Sequence, residues 1–330
     1  MRKYLSTLLG HGTLGRDEAR EALLAIGRGE CNEHEVTAFM TVFLMRSITI
    51  GELEGFRDAL LALCVPADLG TSDLVDIVGT GGDGKDTFNI STLSCFIVAG
   101  AGQRVAKHGN YGASSVSGAS NVMERLGYRF KNDVAALRGE LEGAGICFLH
   151  APLFHPALKN VGPIRRNLGV RTFFNMLGPM VNPARPDYSL VGVFSLEMAR
   201  IYNYLLQRDG RPFTIIHGLD GYDEISLTND TKVIRRDGEQ VLSPEYLGRR
   251  RVQSEDLTCG GTAESASDIF RAILEGRGSW SQNAVVLANA AMALQCTGRY
   301  PSYEDAYAAA VQSLDTGSAL RCLNTLISLQ

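Results

Sequence analysis

The stretch Asp76–Thr92, DIVGTGGDGKDTFNIST, fits two phosphate-loop patterns at once. From Gly79, GTGGDG is G-x-G-x-x-G, the dinucleotide fingerprint. From the same glycine, GTGGDGKD runs G-x-x-x-x-G-K and then puts Asp86 where a Walker A loop has Ser or Thr. Neither pattern survives its context. A dinucleotide fold needs an acidic residue roughly twenty positions on, at the end of the second strand, to hold ribose hydroxyls. Here the second strand, RVA, ends in Lys107-His108, a pair suited to an anion. A Walker loop needs a hydroxyl after its lysine to hold magnesium, and Asp86 in that place would repel a phosphate. What remains is an anion loop of a third kind. Gly79, Gly81, Gly82 and Gly84 let backbone N–H groups approach a phosphate closely. Ser91 and Thr92 fall at the expected start of a helix, around Ser91, where unpaired N–H groups and the dipole favour negative charge. Asp83 suits a ligand carrying hydroxyls as well as phosphate, such as a phosphorylated ribose. On local sequence alone the alternative is a glycine-rich structural turn.

Around this loop the chain alternates apolar strands, glycine-rich turns and helices. LVDIV leads through the glycines into STLSCFIVAGAG, and RVAKHGN leads through a serine-rich loop into SNVMERLGY. YSLVGVF then precedes LEMARIYNYLLQRDG, and FTIIHG precedes an acidic loop. Such alternation predicts an α/β sheet of mainly parallel strands with its ligand at their carboxyl ends. TKVIRRDGEQVL, with a D-G turn between two strand-like runs, reads as a hairpin insertion. Residues 1–70 lack strand alternation. RDEAREALLAIGRGE, NEHEVTAFMTVFLMRSI and TIGELEGFRDALLALCV read as helices, the last beginning at Thr49 with Glu52 three residues on, a capping pair. A small helical domain follows, with a very apolar middle helix that packs either at the centre of its own bundle or against a second subunit. Residues 71–330 form the α/β domain, helical again at its end.

With 330 residues, 45% hydrophobic and 21% charged, the chain has the composition of an ordinary globular protein. The net charge is −4, and GRRR at Gly248–Arg251 is its one dense basic run, which argues against a nucleic-acid partner bound through the phosphate backbone. The first twenty residues hold no signal-peptide core, and no run approaches the roughly eighteen apolar residues of a membrane span. Seven cysteines (Cys31, Cys64, Cys95, Cys147, Cys259, Cys296, Cys322) are scattered without a C-x-x-C pair, as expected of reduced thiols in the cytoplasm. His150 and His155, five apart in HAPLFHP, lack further ligands at zinc spacing and read as local packing groups.

Three further segments carry chemistry. KHGNYGASSVSGASN repeats the anion logic at the next strand end: Lys107 supplies charge, Gly109, Gly112 and Gly118 backbone access, and Ser114, Ser115 and Ser117 hydroxyl donors. Two such loops on neighbouring strands suggest one ligand with two phosphate groups. In HGLDGYDEISL, adjacent Asp223 and Glu224 can face one hard cation, as Mg²⁺ is held by one or two carboxylates plus ligand phosphates. Acidic pairs are common on surfaces, but this one follows the buried-looking strand FTIIHG. In KNVGPIRRNLGVRTFFNMLGPMVNP, Arg165, Arg166 and Arg171 lie around a helix start, where one guanidinium could clamp a carboxylate with two hydrogen bonds; solvated arginines are the ordinary alternative.

Together, GTGGDG…TFNIST, KHGN…SS.SG, PIRRNLGVRTFFNMLGP…NP, the DE pair and the helical start closely resemble the anthranilate phosphoribosyltransferase family over nearly the whole chain. The resemblance implies a nucleoside-phosphorylase-like (class III phosphoribosyltransferase) fold: a helical domain of residues 1–70, joined by a segment near 163–180, an α/β domain of residues 71–330 with a mainly parallel sheet, and a cleft between them. It implies a cytoplasmic homodimer joined through the helical domains, acting in tryptophan biosynthesis with no nucleic-acid or membrane partner. By the same resemblance Gly79, Gly82, Asp83, Thr87, Asn89, Ile90, Ser91, Thr92, Lys107, Ser114, Ser115 and Ser117 bind phosphoribosyl pyrophosphate (PRPP). Ser91, Asp223 and Glu224 hold two Mg²⁺ ions. Gly79, Asn110 and Arg165 receive anthranilate, Arg165 towards its carboxylate, and His108, Asn110 and Arg165 form the catalytic group.

The sequence departs from the commonest family pattern at Tyr111 and Val116, where basic residues are frequent, and at Ala119, where a hydroxyl is usual. These changes remove up to two charges and a hydroxyl from the second loop while leaving Lys107 and the backbone donors. The nearest enzymatic rival is a pyrimidine-nucleoside phosphorylase, which shares the fold and uses inorganic phosphate; the acidic pair with Asn110 and Arg165 argues against it. A non-catalytic, nucleic-acid-binding relative would have lost the acidic pair and gained a basic cleft.

Overall fold

The computed structural model describes residues 1–112 and 118–330, in two compact units. One comprises Met1–Ala67 with Ala151–Arg185, the other Asp68–His150 with Pro186–Gln330. Ser114, Ser115, Val116 and Ser117 lie outside the described residues.

The first unit is helical. Its N-terminal part contains the helices Arg2–Leu9, Arg16–Gly27, Glu33–Met45 and Ile50–Leu63. Their starts are dictated locally. Asn32 accepts the N–H of Glu35, and Thr49 accepts that of Glu52, with each glutamate reaching back to the cap's own N–H. The returning stretch Ala151–Arg185 contributes short helical turns and anchors itself with Phe173. That ring stacks on Phe56 at 4.5 Å and meets Phe43 edge-on at 5.3 Å. A cluster of Phe39, Phe43, Phe56 and Phe173 is the apolar centre of the unit, all four rings buried.

The second unit is built on a seven-stranded sheet: β1 (Leu74–Gly79), β2 (Arg104–Gly109), β3 (Ile146–His150), β4 (Tyr188–Gly192), β5 (Phe213–Gly218), β6 (Thr231–Arg235) and β7 (Gly238–Leu242). Their order is β3-β2-β1-β4-β5-β6-β7, with the first five parallel and β6–β7 added antiparallel at one edge. The mainly parallel sheet expected from the alternating pattern is therefore present, with an edge hairpin. Its two-residue loop is Arg236-Asp237, because Arg235 pairs with Gly238, so the glycine of the D-G pair opens β7 instead of sitting inside the turn. On one face the helices Ile90–Gly100 and Trp280–Cys296 are almost wholly buried, which is why ISTLSCFIVAG and AVVLANAAMAL lack a polar side. The C-terminal helical stretch is broken by Gly317, at φ +69°, into Tyr303–Asp315 and Ser318–Ser328. Among the described residues no helix is long and apolar enough to cross a membrane.

Candidate active site

Four of the five parallel strands end in glycine: Gly79, Gly109, Gly192 and Gly218. At two of these ends the reason is steric. A Cβ on Gly192 would lie 1.6 Å from the carbonyl oxygen of Asp223, and one on Gly79 would lie 2.4 Å from Asp223 Oδ2. Side chains there would expel the acidic loop, so the bare strand ends of β1 and β4 make the seat for Asp223-Glu224.

The glycine loop then wraps that pair. Gly81, Gly82 and Gly84 all take positive φ, +66°, +78° and +76°, a run that side-chain-bearing residues adopt only with strain. The turn aims the N–H of Gly81 at Asp223 Oδ2, 2.7 Å away, while the N–H of Ser91 donates to Glu224 Oε1 at 2.9 Å. The helix starts at Ile90, capped by Asn89, whose Oδ1 accepts the N–H of Thr92 at 3.2 Å. Two backbone donors that the sequence reading reserves for phosphate thus face carboxylates. Ile90 places its side chain in the core, and its N–H goes to the Phe88 carbonyl, so neither is open to a ligand.

Electrostatics single out the acidic pair. Burial, followed by the charge of Asp83, pushes the Asp223 carboxyl up to about 7. Burial and the charges of Asp223 and Asp83 hold Glu224 well above the usual carboxylate range, against a partial offset from Lys107. Lys107 is buried on β2 and donates from Nζ to the Ile77 carbonyl at 2.5 Å, so it lies inside the sheet edge as well as near the acids. Three acids against one internal ammonium form a site that favours a cation. Among the described residues no cluster of three or more His, Cys, Asp or Glu has metal-site geometry. Two adjacent carboxylates are the donor type Mg²⁺ takes in its usual manner, with water and ligand oxygens completing its shell.

The rest of the loop is fixed by residues the sequence reading passes over. Thr87 bridges Thr258, the N–H of Phe88 donates to Leu257, and the N–H of Cys259 donates to Asp86. The Cys259 thiol also donates to Asp86 Oδ1 at 3.1 Å. Asp86, which excludes a Walker loop, serves here to hold the loop's outer strand. Asp83 accepts the N–H of Lys85, and the Lys85 ammonium lies 4.6 Å from the Tyr222 ring centre. On the far side of the acidic pair, Asn289 pairs with both backbone polar groups of Ile225. An amide inside the apolar run VVLANAAMAL was the available signal for it.

At the second strand end His108 is buried, and its backbone N–H donates to Asp76 Oδ1 at 3.3 Å. Asn110 is exposed, with Oδ1 accepting from the Tyr111 N–H and its carbonyl from Ser120. Tyr111 donates its hydroxyl to Glu124 at 2.7 Å. His150 pairs through Nδ1 with the Ser120 hydroxyl, and His155 through Nε2 with the Val181 carbonyl, so each histidine has a local packing partner.

In the helical unit, Arg165 lies on the helix Gly162–Leu168, partly buried. Its guanidinium sits 5.4 Å from the Phe174 ring centre and donates to Asn175 Oδ1 at 3.3 Å. Burial lowers its pKa, and no carboxylate among the described residues pairs with it. Arg166, exposed one residue on, lacks that setting.

A helical unit together with a parallel sheet whose glycine-ended strands seat an acidic pair defines a class of transferase, and two family models describe it. The glycosyl transferase family helical bundle domain matches residues 2–64, and the glycosyl transferase family a/b domain matches residues 71–320. Full-length relatives narrow the class. The chain is 54% identical to anthranilate phosphoribosyltransferase from Christiangramia forsetii, covering 100% of this chain and 99% of that one. It is 52% identical to the Bacteroides thetaiotaomicron enzyme of the same name over the same shares. The crystal structure of the Thermus thermophilus enzyme superposes with a TM-score of 0.92 at 33% identity, over 99% of this chain and 98% of that one. The Saccharomyces cerevisiae enzyme in complex with PRPP and Mg gives 0.91 at 27% identity, over 99% and 96%. The chain belongs to the anthranilate phosphoribosyltransferase family.

Proposed function

We propose that this chain transfers the 5-phosphoribosyl group of PRPP to the amine of anthranilate, giving N-(5-phosphoribosyl)anthranilate and pyrophosphate in tryptophan biosynthesis. The observation that carries the reading is the under-neutralised Asp223-Glu224 pair, Asp223 buried and Glu224 half-buried, seated against the glycine loop. Full-length relatives of that name at 48–54% identity support it.

The chemistry asks little of the protein beyond charge and position. As pyrophosphate leaves C1 of the ribose, positive charge grows on the sugar and negative charge on the departing oxygens. Mg²⁺, when bound, neutralises those oxygens; Asp223, Glu224 and Ser91 are the residues to hold it, as two ions. The backbone donors of Gly79 and Gly82, with Asp83, Thr87, Asn89, Thr92 and Lys107, orient PRPP by its phosphates and ribose hydroxyls. Ile90 contributes through the helix start it forms. Ser114, Ser115 and Ser117 belong to the same assignment. Anthranilate's amine is a free base at neutral pH, so no strong general base is required. Asn110 and the backbone at Gly79 orient that amine, and His108 takes its proton late in the step. Arg165, without a carboxylate of its own, receives the acceptor's carboxylate. Holding both substrates for in-line attack and excluding water supplies the rest of the acceleration.

The helical unit leaves Leu9, Leu44 and Met45 exposed, which supports a homodimer through this unit. We place the enzyme in the cytoplasm. The deciding experiment is Mg²⁺-dependent consumption of anthranilate with PRPP, followed by loss of anthranilate fluorescence. No consumption at saturating PRPP and Mg²⁺ would refute the assignment.

A further inference from the structure

We propose that Asn289 is a positioning residue for the acidic pair: its buried amide fixes the backbone immediately after Glu224, and so sets where Asp223 and Glu224 present their carboxylates. The inference rests on the function proposed above. The helix Trp280–Cys296 is buried along Ala284–Leu294, and Asn289 is the polar residue in that run. An isolated amide in such a place is costly unless it is fully bonded. Asn289 meets that condition with one residue of the acidic loop. Its Oδ1 accepts the N–H of Ile225 at 3.1 Å, and its Nδ2 donates to the carbonyl of Ile225 at 2.8 Å. The second Nδ2 hydrogen goes to Val285, one turn back on its own helix, at 2.9 Å. The amide thus plays the part of a neighbouring β-strand for one residue.

At that residue the loop is tied to the core helix by paired bonds. Upstream, the loop is located by the close approach of the Asp223 carbonyl to Gly192. The Gly81 and Ser91 N–H groups hold the two carboxylates. Gly81 belongs to the glycine loop and Ser91 to the first turn of the helix that follows it, the segment that must also meet substrate. Asn289 belongs to neither loop. It holds the pair against an element that has no other business at the site, so the carboxylates keep their position when the glycine loop adjusts to PRPP. The Ile225 side chain, fully buried, adds an apolar anchor at the same point.

The test compares Asn289→Ala and Asn289→Asp with the wild-type enzyme. It measures PRPP binding by calorimetry at a series of Mg²⁺ concentrations without anthranilate, alongside kcat and both KM values and the thermal midpoint. Displaced partners of metal-holding groups typically weaken metal affinity or activity by about 10–100-fold. We expect a loss of that size in Mg²⁺-dependent PRPP binding for Asn289→Ala. Asn289→Asp keeps the acceptor for the Ile225 N–H but loses both Nδ2 bonds and sets a carboxylate oxygen against two carbonyls, so its loss should be at least as large. KM for anthranilate should move less than about two-fold in both. A lowered thermal midpoint with Mg²⁺-dependent PRPP binding and kcat within about two-fold of wild type would reduce Asn289 to a stability residue and overturn the proposal. If the alanine variant does not fold, the same criterion applied to Asn289→Asp decides. Absence of Mg²⁺-dependent PRPP binding in the wild-type enzyme would instead refute the functional assignment on which the inference rests.

Discussion

Glu52 of the helical unit and the Asp223-Glu224 pair of the α/β unit are acids treated in opposite ways. In the helical unit Glu52 is fully buried, and the protein itself closes it. Arg46 donates to it with both terminal nitrogens, at 3.0 and 2.5 Å, and the N–H groups of Leu14 and Thr49 and the Thr49 hydroxyl add three more bonds. Burial alone would raise its pKa; these bonds, led by Arg46, bring it below the ordinary value. In the α/β unit Asp223 receives one backbone N–H from the glycine loop and Glu224 one from the helix start after it; both lie beside Asp83 and titrate above the usual range. A buried acid whose charge the fold has balanced is architecture. One whose charge the fold has left unbalanced is a candidate binding element, because a cation gains what the protein has withheld.

The contrast can be broken most forcefully at the binding acids. Asp223→Asn combined with Glu224→Gln should reduce turnover by about 1,000-fold, on the order of 4 kcal/mol in barrier, while the ligand-free fold melts no earlier than wild type. Steady-state rates over a Mg²⁺ series and a melting curve check both halves; unchanged Mg²⁺ dependence would remove the metal assignment. Glu52→Ala should do the reverse. Leaving Arg46 without its partner costs about 3 kcal/mol of stability in denaturant unfolding, with the activity per folded molecule retained.

Arg165 sharpens the comparison from the cationic side, since it is a partly buried guanidinium without a carboxylate partner among the described residues. Arg165→Ala should raise KM for anthranilate by roughly 30-fold, about 2 kcal/mol for a charged hydrogen bond, and KM for PRPP far less. Equal effects on both constants would remove Arg165 from the acceptor site. The smallest expected effect is on pH. In the folded, ligand-free protein Asp223 keeps its proton up to about 7, whereas the unfolded chain releases it near the ordinary aspartate value of 3.8. Between those values the folded state binds more protons, so stability is highest on the acid side and falls as pH rises through about 7. Glu52, lowered in the fold, has the opposite sign and loses its contribution as pH falls. Urea midpoints from pH 5 to 8 should therefore slope downward in wild type and flatten in the doubly substituted acid variant.

Much of this was legible from residues one at a time. The glycines with NIST announced a tight turn into a helix, the Thr49–Glu52 spacing announced a cap, and the DE pair announced an acidic group just past the buried strand FTIIHG. These signals are local: a φ preference, a three-residue spacing, a charge beside a buried strand. The domain reading was 1–70 joined by a segment near 163–180, and the units in the structure are Met1–Ala67 with Ala151–Arg185 and Asp68–His150 with Pro186–Gln330. Phe173 shows why such a boundary is hard to read. Its partners Phe39, Phe43 and Phe56 lie more than a hundred positions earlier, and no periodicity links them.

The sequence by itself determined the class of loop, the alternation that builds a mainly parallel sheet, and the residue types able to meet phosphate, carboxylate and magnesium. Only the tertiary structure decided what those groups face. Gly81 and Ser91 N–H groups meet carboxylates. Lys107 turns its ammonium to the Ile77 carbonyl. Asp86 pairs with Cys259, and Asn289 braces Ile225. The reason is that donor and acceptor capacity belongs to a residue, whereas the partner is chosen by the strand order that brings β1 and β4 together beneath a loop more than 130 positions further along the chain than β1.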